Sequence, residues 1–177
     1  LGAAIYYSLD TENSDSGIYV YPRVTASYKI GGESLIAYAG LEGDLKQNTY
    51  YKLAQDNPFM APLANIQPTD QQYNLYAGAK GKLTDNVAYN LRASYLAEDF
   101  KPLFTKLPAA EPGTALSYAH GNSFAVLYDL VKTISAFGEL NIDIRRNFNL
   151  RLNAEYFIYD TDEQEEAWNL PQYRANV

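Results

Sequence analysis

The sequence predicts an all-β protein, an antiparallel up-and-down meander of about seven or eight long strands. Three observations carry that reading. Apolar and polar residues alternate with period two through most of the chain. The turn-forming clusters that interrupt the alternation are short at one end of the hairpins and long at the other. Tyrosine is abundant, at 17 residues against 7 Phe and 1 Trp. Tyr favours strands and suits places where one end of a side chain is apolar and the other wet.

The elements follow in order. Residues 2–9 read as a strand. Residues 18–30 set Ile18, Val20, Val24, Ala26, Tyr28 and Ile30 against Tyr19, Tyr21, Arg23, Thr25 and Lys29. Pro22 cannot donate to a ladder and marks an edge or bulge. Gly31 and Gly32 mark a tight turn. Leu35 to Gly43 is a strand whose faces the sequence leaves ambiguous.

Residues 73–97 give the clearest hairpin. Leu75, Ala77, Ala79, Gly81 and Leu83 share one face with Val87, Tyr89, Leu91, Ala93 and Tyr95, across a turn at Thr84-Asp85-Asn86. Cross-strand partners must share a face. A three-residue loop pairs Leu83 with Val87, Gly81 with Tyr89, Ala79 with Leu91 and Leu75 with Tyr95. Tyr89 is expected to cover Gly81. On the polar face Lys80 meets Asn90, and Gly78 leaves room for Arg92.

The second hairpin sets Ile134, Ala136, Gly138, Leu140, Ile142 and Ile144 beside Leu150, Leu152, Ala154, Tyr156 and Ile158. Its turn is Arg145-Arg146-Asn147. The polar face, Phe137 excepted, carries Ser135, Glu139, Asn141, Asp143, Asn149, Arg151, Asn153 and Glu155. Asn141 should face Arg151, with Glu139 and Asp143 flanking it as a charge ladder. Ser123 to Lys132 is rich in aromatic and β-branched residues and reads as a strand extending above a membrane. Residues 171–177 begin a last strand, and no helix is expected.

The connections are the most informative feature. Turns near 31–33, 84–86 and 145–147 are short, whereas 10–17, 45–71, 99–123 and 160–170 are long and, with Pro171 at the end of the last, hold seven of the eight prolines. Short turns at one end and long polar loops at the other characterise outer-membrane barrels. Strands of ~10–13 residues exceed the usual ~5–6 and fit tilted membrane-spanning strands. The fold class is therefore a segment of a transmembrane β-barrel. A soluble secreted β-sandwich binding module, with the apolar faces as a shared core, is the competing architecture.

Composition narrows the function. Without cysteine there is no disulfide, thiolate zinc site or thiol nucleophile. One histidine, His120, is too few for a His-based metal centre. A net charge of −7, with scattered bases, argues against nucleic acid. No run approaches the ~18 apolar residues of a membrane helix. The mean hydropathy of −0.34 suits a soluble protein. It suits a barrel whose strands are apolar on one face just as well. The strand pattern is already under way at Leu1 and at Val177, so 1–177 is read as one partial barrel cut from a longer protein.

The chemical candidates weigh towards structure. Asp160, Asp162, Glu163, Glu165 and Glu166 lack the glycine of an EF-hand loop and read as a solvated acidic loop. Glu139, Asp143 and Glu155 sit among Arg and Asn and read as a charge ladder, not a glycosidase pair. Ser117, His120 and Asp129 lack a nucleophile elbow. Gly78-Ala79-Lys80-Gly81 is not a phosphate loop. No catalytic residue, metal or cofactor is expected, and the chain is not read as an enzyme. Tyr50, Tyr51, Phe59 and Trp168 lie in or near long loops, where rings can stack on a sugar or another ligand. Tyr73, Tyr95, Tyr156 and Tyr159, near the long-loop ends of strands, suit an aromatic girdle at the lipid boundary.

Several phrases resemble the barrel of TonB-dependent outer-membrane receptors of the Bacteroidetes type. They are Asn57-Pro58-Phe59, Gln67-Pro68-Thr69-Asp70-Gln71-Gln72-Tyr73, Gly78-Ala79-Lys80-Gly81-Lys82-Leu83, Tyr118-Ala119-His120-Gly121-Asn122-Ser123-Phe124, Phe137-Gly138-Glu139-Leu140-Asn141 and Glu166-Ala167-Trp168-Asn169-Leu170-Pro171. The resemblance covers about 18–177. It implies residence in the outer membrane of a Gram-negative bacterium and contact with its lipid. It also implies a plug domain and a periplasmic energy-coupling protein in the parent, and uptake of a bulky solute. The plug is not in this stretch, so a plugless porin-like channel is an alternative. Asn90, Arg92, Glu139, Asn141, Arg151, Asn153 and Glu155 become candidates for the lumen face. Tyr50, Tyr51, Phe59 and Trp168 become candidates for solute contact in extracellular loops. A barrel segment alone has open edges, through which copies can self-associate.

Overall fold

A computed structural model of the chain describes residues 1–10, 15–30, 34–62, 65–109, 121–145 and 148–177. It contains β1 (Gly2–Asp10), β2 (Asp15–Ile30), β3 (Leu35–Lys46), α1 (Tyr50–Asp56), β4 (Thr69–Thr84), β5 (Val87–Lys106), β6 (Phe124–Arg145), β7 (Phe148–Thr161) and β8 (Tyr173–Asn176). The strands pair in chain order in one eight-stranded antiparallel sheet. The sheet does not close, so β1 and β8 are its edges, as expected of a barrel segment.

Both sequence-derived hairpins are present in their expected registers. Gly81 faces Tyr89, Ala79 faces Leu91, Leu75 faces Tyr95 and Lys80 faces Asn90. Asn141 faces Arg151 and Ile134 faces Ile158. The first turn is tighter than expected. Thr84 pairs with Val87, and a bulge between Lys82 and Thr84 takes Leu83 out of the ladder. Pro22 lies one residue beyond the β2–β3 ladder, which begins at Arg23, so its missing N–H costs no bond there. The strand from Leu35 resolves its ambiguity by placing Ala37, Ala39 and Leu41 opposite Ala79, Ala77 and Leu75. Turn residues 31–33 and 146–147 lie outside the described residues.

Three expectations are corrected. A helix exists: Thr49 caps α1 by accepting from the Lys52 amide. Thr is a favoured N-cap residue, but the aromatic pair Tyr50-Tyr51 that follows it masks the helical signal in the sequence. The β1–β2 connection spans only 11–14, because the pairing extends to Asp10 and Asp15. The 99–123 connection is shortened from both sides, since β5 runs to Lys106 and β6 starts at Phe124. Pro102 consequently sits within β5, opposite Tyr128.

Burial along the sheet is inverted. Ile5, Tyr7, Ile18, Val20, Leu75, Leu91, Leu140 and Ile158 are exposed, although all lie on the apolar face. Their polar-face neighbours, such as Tyr6, Tyr19, Tyr38, Asn90, Asn153 and Glu155, are half-buried by one another. Crowding on one face and openness on the other mean that the sheet curves with the polar face inward.

The height of the apolar face can be read from β6. Ile134 to Ile144 spans about 33 Å at roughly 3.3 Å per residue, and a ~40° tilt projects that to about 25 Å. Lys132 and Asp160, paired across β6 and β7, end the band on the long-loop side. With 20 and 22 residues, β5 and β6 continue well past that boundary.

Two tyrosines on the concave face pack into glycines across the β3–β4 ladder. Tyr76 faces Gly40 and Tyr38 faces Gly78. A Cβ on Gly40 would lie 2.4 Å from the Tyr76 ring atoms, and one on Gly78 would lie 2.5 Å from those of Tyr38 and 2.4 Å from the Leu91 carbonyl. Tyr38 therefore fills the space expected for Arg92. The Ser34 carbonyl lies 2.1 Å from a Cβ placed on Gly81, and Tyr89, paired with Gly81, donates its hydroxyl to that carbonyl at 3.2 Å.

These contacts predict an order of cost. At Gly40 the obstructing atoms end a movable side chain, whereas at Gly78 one is backbone. Gly78→Ala should lower stability by about 1–3 kcal/mol, and Gly40→Ala by less. Urea titration in detergent measures both, and the reverse order would contradict the packing.

Candidate functional site

The polar face gathers all seven lumen candidates on neighbouring strands. Its organising row runs Tyr38, Gly78, Arg92, Phe137, Glu155 and Arg174 from β3 to β8. The Tyr38 hydroxyl donates to Asn90 Oδ1 at 2.6 Å. The Arg92 guanidinium lies 5.2 Å from the centre of the Phe137 ring and 3.8 Å from Glu155 Oε1. Phe137, an apolar break in the polar pattern, is thus a platform for Arg92. Glu155 also accepts from Ser135 at 3.1 Å, and Ser135 shares a 2.8 Å hydrogen bond with Ser94. Arg174 repeats the device, 5.6 Å from the centre of the Phe157 ring.

The expected charge ladder around Arg151 takes another form. Arg151 Nε donates to Asn141 Oδ1 at 2.8 Å. Glu139 accepts from Asn141 Nδ2 at 2.8 Å, and Asp143 accepts from Asn149 Nδ2. Amides mediate between the charges, which lets each carboxylate keep a donor without a direct ion pair. Asn153 Oδ1 receives Asn176 Nδ2 at 3.0 Å.

A second aromatic cluster occupies β1–β3. Tyr6 and Tyr21 meet edge to face at 5.8 Å, and Tyr19 stacks on Tyr21 at 6.3 Å. Their hydroxyls are tied to carboxylates: Tyr6 donates to Asp44 and Tyr21 to Asp70, both at 2.5 Å. Of the expected girdle, Tyr73 and Tyr95 meet at 5.8 Å on the apolar face, and Tyr156 meets Tyr173 there at 4.8 Å. Tyr159 lies on the opposite face and donates to the Pro171 carbonyl at 2.9 Å.

Beyond the apolar band the long connections converge on the projecting β5–β6 hairpin. Leu53 of α1, Met60 and Phe104 form a small buried core, with Ile66, Phe124 and Val126 packed against it. The backbone joins in, with Phe124 N donating to Phe59 O at 3.0 Å and Ala61 N to Phe124 O at 2.7 Å. The β7–β8 connection is held from the same side, because Asn169 Oδ1 accepts from Phe104 N at 3.1 Å. Between these connections lies a cavity of about 470 Å³, walled by Phe104, Phe124 and Trp168. Trp168 is the only extracellular-loop candidate among its walls. Tyr50, Tyr51 and Phe59 are exposed and stand apart from it.

Two buried acids, Asp129 and Glu98, have partners that the sequence pattern does not reveal. Asp129 accepts backbone amides from Leu130, Glu163 and Gln164, fixing the start of the acidic loop. Among the described residues no group of acids or histidines is placed to hold a metal ion. Ser117 and His120 lie outside the described residues. Glu98 is buried against Lys46 at 2.6 Å and Lys101. Burial alone would raise its pKa, but the two ammonium groups outweigh it and hold the carboxyl below its ordinary value of 4.5. Only a lysine three residues away hinted at this, and the second lysine comes from a distant strand.

No protein-family model, curated protein or solved structure matches the chain.

The Glu98 clamp joins β3 to the base of the projecting hairpin. Its folded pKa is depressed, so its stabilisation is complete above pH of about 4.5 and disappears as the pH falls through the lower folded value. Glu98→Gln should destabilise the protein by about 1–3 kcal/mol at pH 7. It should also flatten the acid limb of a stability–pH curve, and an unchanged acid limb would count against the clamp.

Proposed function

We propose that the chain is part of the wall of an outer-membrane β-barrel receptor, of the TonB-dependent kind, that takes up a bulky solute. The observation that carries the reading is the inverted burial. Eight strands at roughly 4.8 Å spacing and a band of about 25 Å give an apolar face of roughly 1,000 Å². Soluble monomers seldom expose a contiguous patch above about 300–600 Å². Lipid is the solvent in which such a face costs nothing.

The architecture supports the same reading. The sheet is a simple meander of long strands with its polar side concave. The aromatic pairs Tyr73–Tyr95 and Tyr156–Tyr173 lie near the outer end of the apolar face. The concave face is ordered by hydrogen bonds among Asn, Ser, Glu and Arg side chains, as a lumen wall should be. Solute would first meet the cluster of long connections, then the Arg92–Phe137–Glu155 row. A sandwich-type binding module would need a second layer over Leu91, Leu140 and Ile158, and among the described residues none covers them.

The assignment is testable by single-cysteine labelling of the full-length parent in isolated outer membranes, after replacement of any cysteine outside residues 1–177, which hold none. Cysteines replacing Leu91, Leu140 or Ile158 should resist a membrane-impermeant maleimide until detergent is added. Cysteines replacing Asn90 or Asn153 should react at least tenfold faster. Equal rates on the two faces, or a protein recovered in the soluble fraction, would rule out a lipid-facing wall.

A further inference from the structure

We infer that the cavity between the long connections binds a planar aromatic ring bearing one carboxylate. The walls and the hydrogen-bonding inventory point to this class independently of the lipid-facing role of the sheet. Phe104, Phe124 and Trp168 supply apolar ring surfaces, and about 470 Å³ falls within the range of small-ligand pockets, roughly 300–1,000 Å³. Rings of this kind stack on a flat ligand face.

The polar lining consists of Asn57, Asn169, Thr105 and Lys106. Both asparagine carbonyl oxygens are already used. Asn57 Oδ1 accepts from Phe59 N at 3.0 Å, and Asn169 Oδ1 accepts from Phe104 N at 3.1 Å. Each amide is thereby oriented with its NH₂ group left to donate. Lys106 can only donate. The Thr105 hydroxyl alone can do either. A ligand rich in hydroxyl donors, such as a sugar, finds few side-chain acceptors here, whereas a carboxylate can accept from Lys106 and both amides. Charge-assisted bonds of this type are the stronger ones. A single lysine also matches a single negative charge, which a chain of net charge −7 would not otherwise attract.

Trp168 is the only tryptophan of residues 1–177, so its emission reports the cavity once any tryptophan elsewhere in the parent is replaced by Phe. The test is titration of the detergent-solubilised protein with 4-fluorobenzoate, followed by fluorine NMR line broadening and Trp168 emission. The neutral 4-fluorobenzyl alcohol and D-glucose serve as comparators. Fluorobenzoate should bind at least tenfold more tightly than the alcohol and should change the Trp168 emission. Lys106→Met, at an exposed position, should abolish that preference without altering the sheet signal in circular dichroism. Trp168→Leu should weaken the acid and the alcohol alike by about tenfold. Equal affinity for acid and alcohol, a preference that survives Lys106→Met, or displacement of the acid by glucose would overturn the inference. So would broadening of neither probe.

Discussion

Side chains on a strand alternate between two faces, so choosing a register for one pair of strands settles both faces at once. Everything in this chain depends on that coupling. The row Ala26, Ala39, Ala77, Ala93 and Ala136 crosses five strands on the apolar side. One residue along, Tyr38, Gly78, Arg92, Phe137 and Glu155 cross five on the polar side. A slip of one position anywhere would put Arg92 and Glu155 among the alanines and leucines. It would also lift Tyr38 and Tyr76 off the glycines that receive them. The small residues thus have two tasks. On one face they keep the apolar surface smooth, and on the other they make space for the rings of neighbouring strands.

The hairpins were legible because both of their faces are written locally, in residues a few positions either side of a short turn. Leu75 to Tyr95 and Ile134 to Ile158 each contain enough alternation to test a register against itself. What escaped the sequence depends on residues brought together from far apart. Tyr38 occupies the space beside Gly78 because β3 is the other neighbour of β4, and the hairpin alone leaves that space to Arg92. The amides around Arg151 were visible as residues, but their role as intermediates was not, since a pattern of charges does not say which groups touch. Glu98 needs Lys46, and Asp129 needs the amides of Glu163 and Gln164; neither partnership has a local signal. Of the loop aromatics, sequence could name Trp168, Tyr50, Tyr51 and Phe59, but only the fold separates the ring that faces a cavity from the three that do not.

The outer end of the sheet obeys the opposite rule from the band below it. Along the lower parts of β5 and β6, the apolar side chains Leu91, Ile134 and Leu140 are exposed. Past Ala97 the pattern reverses, and Leu103, Phe104 and Val131 are buried. The bulge between Glu98 and Lys101 lies at the change, where Phe100 adopts a positive φ of 53°. An extra residue there alters which side chains face which way, as a bulge does. The strands above it must find an ordinary core in water, and α1 with the chain around Met60 provides one. Charged groups are admitted where the rule changes: Glu98 with two lysines, Lys132 opposite Asp160, and Asp129 under the acidic loop. In the band itself, were lipid to cover it as proposed, such groups would have neither water nor partners on the apolar side. On the proposed reading, the reversal marks a boundary between two solvents along single continuous strands. The cavity walled by Phe104, Phe124 and Trp168, with Lys106 in its lining, lies beyond that reversal, where a ligand arriving from water finds an apolar surface.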